Sequence, residues 1–380
     1  MIKKKIIIFT GSRADYGIMS KLIKELDYKL QILIFAGSDH FSKEYGNTYK
    51  EILKDGIKIQ IKSNLKSYSN SEPLSLYCSK ILQEYSLKIL KYNPSSALVL
   101  GDRYEAFIFS LCCFLNKIPI FHLHGGELTE GAFDDKLRHS ISKFSNFHFV
   151  TSNIYKKRLM QLGENPKRIF NFGSLSEENF RKIKIVSRTN FFKKYKIPLE
   201  KKIALVTLHP ETMSNVSYKN QISSVLKAVK NKNKYFYIFT SSNSDPGSKI
   251  FINSINIFIK KNRNTKIIKS LGREDYINLL KNVNLVIGNS SSGVLETPSA
   301  DVYALNIGNR QNGRNFEKNI VHASFNSKEI SQKIEKYINK RIKIKKKFKD
   351  TSKLISKKIF QILNFEKIDL VNKFYDIKFK

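Results

Sequence analysis

Short apolar runs alternate with longer amphipathic stretches along most of this chain. A first series of apolar runs, rich in Ile, Val, Leu and Phe, covers Ile6–Thr10, Gln31–Ala36, Ile57–Ile61, Ala97–Gly101, Ile118–Leu123 and Phe147–Thr151. A second series includes Ile203–Leu208, Tyr235–Thr240, Leu285–Gly288 and Val302–Asn306. Between these runs, windows such as Leu74–Tyr92 and Glu105–Leu115 place apolar residues three and four positions apart, which predicts helices. Apolar strands separated by helices indicate parallel sheets with both faces covered, so the predicted fold class is α/β.

The polar and basic stretch Glu177–Glu200 separates the two series. It contains no convincing strand, and Pro198 lies just before the second series begins. A chain of 380 residues is also longer than one ordinary core and fits two domains. We therefore predict domains at 1–180 and 181–365, followed by a basic helical tail at 366–380. Because ligands bind at the carboxyl ends of parallel strands, we expect the site in a cleft between the domains.

Composition changes this picture only slightly. The formal net charge of +36 comes mainly from Lys residues spread along the whole chain, which favours attraction of an anionic substrate over a specific nucleic-acid site. No apolar run is long enough for a signal peptide or a membrane helix, and the three cysteines form no CxxC pair. We therefore expect a cytoplasmic protein that binds neither nucleic acid specifically nor a membrane.

In the first half of the chain, charged side chains directly follow predicted strands. Arg13 lies in a Gly-Ser-Arg turn that opens a helix, where free backbone N–H groups and the helix dipole attract anions. Asp102 and Arg103 follow the strand that ends at Gly101, although Asp102 is also placed to cap the next helix. Both positions predict side chains at the carboxyl edge of the sheet.

A third cluster in this half combines His124, Glu127 and Asp134 around a Gly-Gly turn. His122 and His124 share one face of a strand, as metal ligands would, but no further ligand set follows at a persuasive spacing, so no metal site is predicted. Acids crowded around a Gly turn raise each other's pKa, as general acid–base catalysis near neutral pH requires. The assignment of the proton chemistry between His124 and Glu127 stays open at this point.

Loops in the second half carry groups that suit a nucleotide. His209 follows the first strand of this half, and Ser290 and Ser291 follow a later one. Hydroxyls and backbone N–H groups at such a helix start would hold a diphosphate. Glu296 is placed to accept hydrogen bonds from ribose hydroxyls, and Arg310 offers the phosphates a cation. The pattern indicates that one domain binds a nucleotide and the other acts on what it carries.

Several segments are informative when they are taken together, namely TGSRADYG, LGDR, HGGE with DDKLRHSISK, TLHPET, GNSSSGVLE and NIGNRQNGR. In these segments the chain resembles the UDP-N-acetylglucosamine 2-epimerase family in its hydrolysing branch. The resemblance covers roughly residues 5–320. It implies two Rossmann-like domains whose parallel sheets face a cleft, the arrangement called GT-B, with no cofactor and a dimeric or tetrameric homo-oligomer. It also implies elimination of UDP from a UDP-sugar and addition of water, which gives free N-acetylmannosamine.

Residues carried over by motif fall into three groups. Catalytic positions are matched by Asp102, Asp134 and His209. Nucleotide contacts are matched by Arg13, Asn243, Ser290, Ser291, Glu296 and Arg310, and a position near the sugar–phosphate by Arg103. Some relatives have Glu where this chain has His124, whereas Glu127 belongs to the shared Gly-Gly-Glu motif. Three alternatives stay open, namely UDP-N,N'-diacetylbacillosamine as the substrate, a GDP-linked sugar, and a GT-B glycosyltransferase.

Overall fold

The apolar runs form two parallel sheets with helices on both faces of each. The structure is a computed structural model that describes residues 3–69, 71–241, 245–268, 271–344 and 349–377. The strands of the first sheet are β1 (Lys5–Thr10), β2 (Gln31–Ala36), β3 (Ile61–Lys62), β4 (Ser96–Leu100), β5 (Ile120–Leu123), β6 (Phe147–Val150) and β7 (Ile169–Asn171). Those of the second sheet are β8 (Ile203–Thr207), β9 (Phe236–Phe239), β10 (Thr265–Ile267), β11 (Leu285–Gly288), β12 (Tyr303–Ile307) and β13 (Ile320–Ala323).

Helices connect most of the parallel strands, and β12 and β13 are joined by a loop without a helix. The first half contains α1 (Arg13–Asp27), α2 (Tyr49–Lys54), α3 (Leu74–Tyr92), α4 (Tyr104–Leu115), α5 (Asp134–Phe144), α6 (Asn153–Gln161) and α7 (Leu175–Lys182). The second half contains α8 (Arg188–Tyr195), α9 (Tyr218–Asn231), α10 (Ser248–Lys260), α11 (Gly272–Asn282), α12 (Ser291–Leu295), α13 (Ser327–Tyr337) and α14 (Thr351–Phe365). Within the described part of the chain, no helix is long and apolar enough to span a membrane.

Both sheets reverse their strand order near the middle. The first sheet has the order β3-β2-β1-β4-β5-β6-β7, and the second has the order β10-β9-β8-β11-β12-β13. In open parallel sheets, ligands bind outside the carboxyl ends of the strands at the point where the order reverses. The reversals lie between β1 and β4 and between β8 and β11. The loops after these four strands are therefore the ones positioned to meet a ligand.

Apolar side chains from helices cover each sheet on two sides. The first sheet lies between α1 with α14 on one face and α3 with α4 on the other. The second lies between α9, α10 and α13 on one face and α8 with α11 on the other. Burial from both sides explains why strand Ile203–Thr207 is buried at every position and why its sequence is almost wholly apolar.

The predicted α/β class with two parallel sheets is confirmed. The strands Gln31–Ala36 and Leu285–Gly288 and the helix Leu74–Tyr92 have their predicted bounds. The apolar pattern does not predict β7 and β13. Both are short and lie at sheet edges, where only part of the strand is buried and the apolar signal is weak.

The last helix of the chain belongs to the core of the first sheet. Helix α14 lies inside the predicted range 181–365, but it packs its buried Ile355, Ile359 and Ile362 with the apolar residues of α1. Residues 173–200, where the predicted break lies, contain no strand and carry α7 and α8. The chain therefore enters the second domain at α8 and returns to the first at α14.

The tail differs from the helix predicted for 366–380, because its described residues 366–377 contain no helix. Asn372 Nδ2 donates a hydrogen bond to the Ser145 carbonyl oxygen at 2.8 Å, and the Tyr375 N–H donates to the Gly163 carbonyl oxygen at 2.8 Å. These bonds tie the tail to the surface of the first domain.

Candidate active site

The carboxyl ends of the central strands of both sheets line one cleft with two adjoining lobes, of about 890 and about 880 Å³. We call the first the acid lobe, which is lined by Asp102, His124, Glu127 and Asp134 among others. We call the second the serine lobe, which is lined by Arg13, Tyr276, Ser292 and Glu296 among others. Both lobes share Ala14, Ile18, His209, Ser290, Ser291 and Leu295. The predicted site residues from the two halves of the chain thus meet in a single cleft.

His124 and Glu127 form a buried pair in the acid lobe. His124 Nδ1 lies 3.0 Å from Glu127 Oε1. His124 Nε2 is buried and has no hydrogen-bond partner among the described residues, although the side chain lines the cavity. The backbone of His124 has a φ of 65°, a left-handed conformation that costs a non-glycine residue about 1–2 kcal/mol and is typical of functional sites. The arrangement presents Nε2 for proton transfer.

Glu127 is held in its ionised form. Burial raises the pKa of this carboxyl, but Arg314 and His124 outweigh the effect and lower the pKa to about 2. Glu127 Oε2 accepts a hydrogen bond from Arg314 Nη1, and Thr151 Oγ1 donates to Oε1 at 3.4 Å. A carboxylate this acidic carries no proton near neutral pH. It favours the His124 tautomer with its proton on Nδ1, which leaves Nε2 as a base.

Asp134 is the first residue of α5, and only 6% of it is exposed. Burial and the nearby Asp245 carboxylate raise its pKa to about 7, although Arg310 and Arg103 oppose the shift. A carboxylate close by in a desolvated site disfavours the charged form of Asp134. A carboxyl that gains and loses its proton near pH 7 suits general acid–base catalysis.

Asp102 and Arg103 line the acid lobe, and both are held by ion pairs. Asp102 Oδ2 accepts a hydrogen bond from Arg138 Nη2. Arg103 Nη2 lies 2.8 Å from Glu105 Oε1 and 3.2 Å from Asp39 Oδ2. Arg103, and not Asp102, is the N-cap residue of α4, so the capping alternative for Asp102 is wrong. Asp102 instead presents a carboxylate of fixed orientation to the cavity.

His209 extends from the end of β8 to both lobes. Burial and the cations of Arg310 and Arg103 lower its pKa well below the ordinary value, so the imidazole is neutral. Its backbone N–H donates to Asn289 Oδ1 at 2.8 Å, and its carbonyl oxygen accepts from Asn289 Nδ2 at 2.8 Å. This pair of bonds ties the end of β8 to the loop that carries Ser290.

The serine lobe brings together Arg13, Ser290, Ser291 and Glu296. Burial raises the pKa of the Glu296 carboxyl to about 7, against the opposing cations Arg273 and Arg13. Gly288 has a φ of 136°, and a Cβ there would overlap the Thr207 carbonyl oxygen. Glycine at this position therefore lets the strand turn directly into the serine loop. These groups lie together as the nucleotide prediction requires.

The start of α1 differs from the sequence prediction of free backbone N–H groups. The N–H groups of Gly11 and Ser12 donate to Asp15 Oδ2, at 3.1 and 2.9 Å. Asp15 is the third residue of α1 and completes a capping box with Ser12. Its carboxylate occupies the place predicted for an anion, so the cation Arg13 is what this turn offers to a phosphate.

Sequence reasoning assigned no role to three charged residues that complete the site, namely Arg138, Asp245 and Arg314. Arg138 and Arg314 lie inside segments that carry the family resemblance, but nothing in their spacing shows that they contact Asp102 and Glu127. Asn243 lies outside the described residues, so its nucleotide contact remains a prediction. Among the described residues, no group of three or more His, Cys, Asp or Glu side chains is arranged to hold a metal ion.

Comparison with known proteins agrees with this geometry. The family described as UDP-N-acetylglucosamine 2-epimerase matches residues 24–363. The chain is 38% identical over 349 residues, covering 90% of both chains, to GDP/UDP-N,N'-diacetylbacillosamine 2-epimerase (hydrolyzing) of Campylobacter jejuni. It is 33% identical over 341 residues, covering 89% of both, to UDP-N,N'-diacetylbacillosamine 2-epimerase (hydrolyzing) of Legionella pneumophila.

The fold also matches solved structures. The crystal structure of UDP-GlcNAc 2-epimerase from Neisseria meningitidis bound to UDP-GlcNAc superposes with a TM-score of 0.77 at 17% identity, and covers 94% of this chain and 100% of that one. The likeness confirms the predicted pair of Rossmann-like domains in the GT-B arrangement. With the family match over most of the chain and these relatives, the protein belongs to the UDP-N-acetylglucosamine 2-epimerase family, in its hydrolysing branch.

Proposed function

We propose that the protein is a hydrolysing 2-epimerase that acts on a UDP-linked 2-acetamido sugar. The observation that carries the proposal is the acid lobe, where His124 Nε2 and the Asp134 carboxyl line the same cavity. One offers a base and the other a group with a pKa of about 7. Family membership and the hydrolysing activity named for two relatives support the same reaction.

The reaction needs a base and an acid at C2 of the sugar. In the first step, the base removes the C2 proton, the electron pair forms a C1=C2 double bond, and the C1–O bond to the diphosphate breaks to release UDP. In the second step, water adds across the double bond. Its oxygen bonds to C1, and a proton is delivered to C2 from the opposite face. The products are UDP and the free 2-epimer.

We assign the two proton transfers at C2 to His124 and Asp134. Glu127, which stays ionised, orients His124 rather than moving a proton itself. Asp102, fixed by Arg138, is assigned to orient the attacking water. This assignment moves the proton chemistry suggested by the sequence for Glu127 onto its imidazole partner.

Release of UDP requires stabilisation of the charge on the departing diphosphate. Arg310, Arg13, Ser290 and Ser291 line the cleft where the two lobes join or next to it. Preorganised donors and cations that face a developing negative charge contribute several kcal/mol, on the order of 3 per group. The neutral imidazole of His209 adds a hydrogen bond at the same place without adding charge. We assign all five to the sugar–diphosphate.

We further propose that the preferred sugar is N,N'-diacetylbacillosamine rather than N-acetylglucosamine. The support is the pair of relatives at 38% and 33% identity, each matched over about nine-tenths of its length, and both named for that sugar. N-acetylglucosamine carries a hydroxyl at C4 where diacetylbacillosamine carries an acetamido group. Because the C4 substituents differ in size and hydrogen bonding, one pocket cannot bind both sugars equally well.

The test is incubation with UDP-N-acetylglucosamine, UDP-N,N'-diacetylbacillosamine and its GDP-linked analogue in heavy water, with product analysis by NMR. We expect UDP, a free manno-configured sugar and deuterium at C2, with the highest kcat/KM for UDP-N,N'-diacetylbacillosamine. An intact epimerised sugar nucleotide would establish the non-hydrolysing reaction instead. UDP release that depends on an added acceptor would establish a glycosyltransferase.

A further inference from the structure

An arginine of the second domain contacts the proton-transfer pair of the first. Arg314 lies in the loop that follows β12, and its Nη1 donates a hydrogen bond to Glu127 Oε2. The side chains of Arg314 and Glu127 are 5% and 2% exposed, so the ion pair is almost fully desolvated. Glu127 Oε1 faces His124 Nδ1 at the same time. Each carboxylate oxygen of Glu127 thus has its own cationic or N–H partner, and the two partners belong to different domains.

The loop that carries Arg314 also contacts the first domain through its backbone. The Glu130 N–H donates to the Asn312 carbonyl oxygen at 3.2 Å. A Cβ on Gly131 would lie 2.6 Å from the Arg310 backbone nitrogen, so the two backbones approach as closely as a glycine permits. Arg314 reaches Glu127 because the domains are closed together at this loop.

The same loop holds the cation that faces the diphosphate position. Glu211 Oε1 accepts a hydrogen bond from the Arg310 N–H at 2.7 Å, which anchors the start of the loop to the end of β8. Arg310 Nη1 donates to the Asn289 carbonyl oxygen at 3.3 Å, beside Ser290. One short loop therefore contacts the nucleotide half of the cleft at Arg310 and the proton-transfer pair at Arg314.

We propose that Arg314 is a positioning residue that aligns the His124–Glu127 pair when the domains close on the nucleotide. The proposal rests on the proposed function. Separation of the domains removes the guanidinium from Glu127 and frees one of its two fixed oxygens, so the orientation of His124 is lost. Proton removal at C2 is thereby confined to the state in which the diphosphate is already held. A proton would otherwise be removed before Arg310 and its neighbours can stabilise the departing diphosphate.

Other charged and titratable groups surround the pair from the first domain. Arg138 on α5 donates to the Glu127 carbonyl oxygen at 2.7 Å, and Arg158 on α6 donates to the Gly126 carbonyl oxygen at 2.7 Å. His122 on β5 and Tyr155 on α6 also lie within electrostatic range. These groups share a domain with the pair, so they stay with it when the cleft opens. Arg314 does not.

The test compares Arg314→Met with Arg314→Lys and with Lys318→Met. Lys318 is exposed four residues further along, so its replacement removes a cation without touching Glu127. For Arg314→Met we expect a loss of about 10²-fold in kcat, the size of a misplaced general base, and a change of less than about threefold in UDP affinity by calorimetry. Arg314→Lys keeps the charge but not the planar fork, so it should recover part of kcat. Lys318→Met should match the wild type.

Two further readouts separate positioning from simple loss of structure. Misalignment of His124 slows the proton transfer without weakening ground-state binding, so kcat of Arg314→Met should fall while KM for the sugar nucleotide changes by less than about threefold. Added methylguanidinium should restore part of the activity of Arg314→Met. An unchanged kcat, or a loss of kcat with a parallel rise in KM and no rescue, would overturn the proposal.

The controls also keep this proposal separate from the proposed function. If the wild-type protein releases no UDP from the three sugar nucleotides, the proposed function fails before the variants are compared. If the wild type is active and Arg314→Met loses UDP affinity and kcat in parallel, only the positioning role fails. If thermal melting shows that Arg314→Met does not fold, the proposal is judged on Arg314→Lys, which should lower kcat relative to the wild type with UDP affinity and KM unchanged.

Discussion

Replacing Asp134 with Asn should make the protein more stable, and the gain should grow with pH. The native environment raises the pKa of this carboxyl from 3.8 to about 7. Between these values the native state holds a proton that the unfolded chain releases, so ionisation costs more stability as the pH rises. The full cost is about three pKa units at about 1.4 kcal/mol each, or about 4 kcal/mol above pH 7. Asn, which is isosteric and neutral, removes it.

The assay is thermal unfolding of the wild type and Asp134→Asn between pH 5 and pH 8. Of the roughly three pH units between the unfolded and native pKa values, about two lie between pH 5 and pH 7. The difference in unfolding free energy between the variant and the wild type should therefore grow by about 3 kcal/mol across the assay. This corresponds to a difference of about 6–12 °C in melting temperature for a domain of this size. Hydrogen-bond differences between Asp and Asn cancel because they are present at every pH. Asp376→Asn, on the exposed tail, is the control for removing a carboxylate. A stability difference that does not vary with pH would refute the reasoning. Turnover should be lost in Asp134→Asn while UDP still binds.

Three other perturbations test separate features of the cleft. Glu127→Gln leaves the Arg314 guanidinium buried without a counter-charge, so it should destabilise the fold by about 3 kcal/mol and lower kcat about 10²-fold, as measured by melting and steady-state kinetics. Gly131→Ala adds a Cβ that would lie 2.6 Å from the Arg310 backbone nitrogen, so it should hold the loops of the two domains apart. We expect kcat/KM to fall by about 10²-fold. Unchanged kinetics would show that this contact is dispensable. The formal net charge of +36 should attract the anionic substrate over long range, and salt screens this attraction. Between 50 and 500 mM salt, kcat/KM should therefore fall by about 3-fold or more while kcat stays constant. An equal fall in kcat/KM and kcat would exclude electrostatic steering of the substrate.

Local sequence patterns were sufficient to predict the features that depend only on residues close together in the chain. Strand Leu285–Gly288 is apolar throughout and ends in a glycine that the turn requires, so both its bounds and the turn after it could be predicted. The contacts between site residues could not be predicted in this way. Arg314 and Glu127, for example, are 187 residues apart in the chain and meet only because the two domains are closed against each other. That contact also supports the proposed assignment of the proton transfer to His124 rather than to Glu127. The tail at 366–377 illustrates the same limit, since it contacts Ser145 and Gly163, which are more than 200 residues away along the chain.

The return of α14 to the first sheet has a consequence for how the protein is made. The first sheet and α1 emerge from the ribosome early, but the helix that covers one of its faces lies at Thr351–Phe365. At about 5–20 residues per second, the intervening chain takes roughly 10–40 s to synthesise. During that interval the apolar surface on α1 and β1 lacks its final cover, whereas the second domain completes its own core. The amino-terminal half is therefore the part of the nascent chain that is exposed to chaperones and to aggregation for longest.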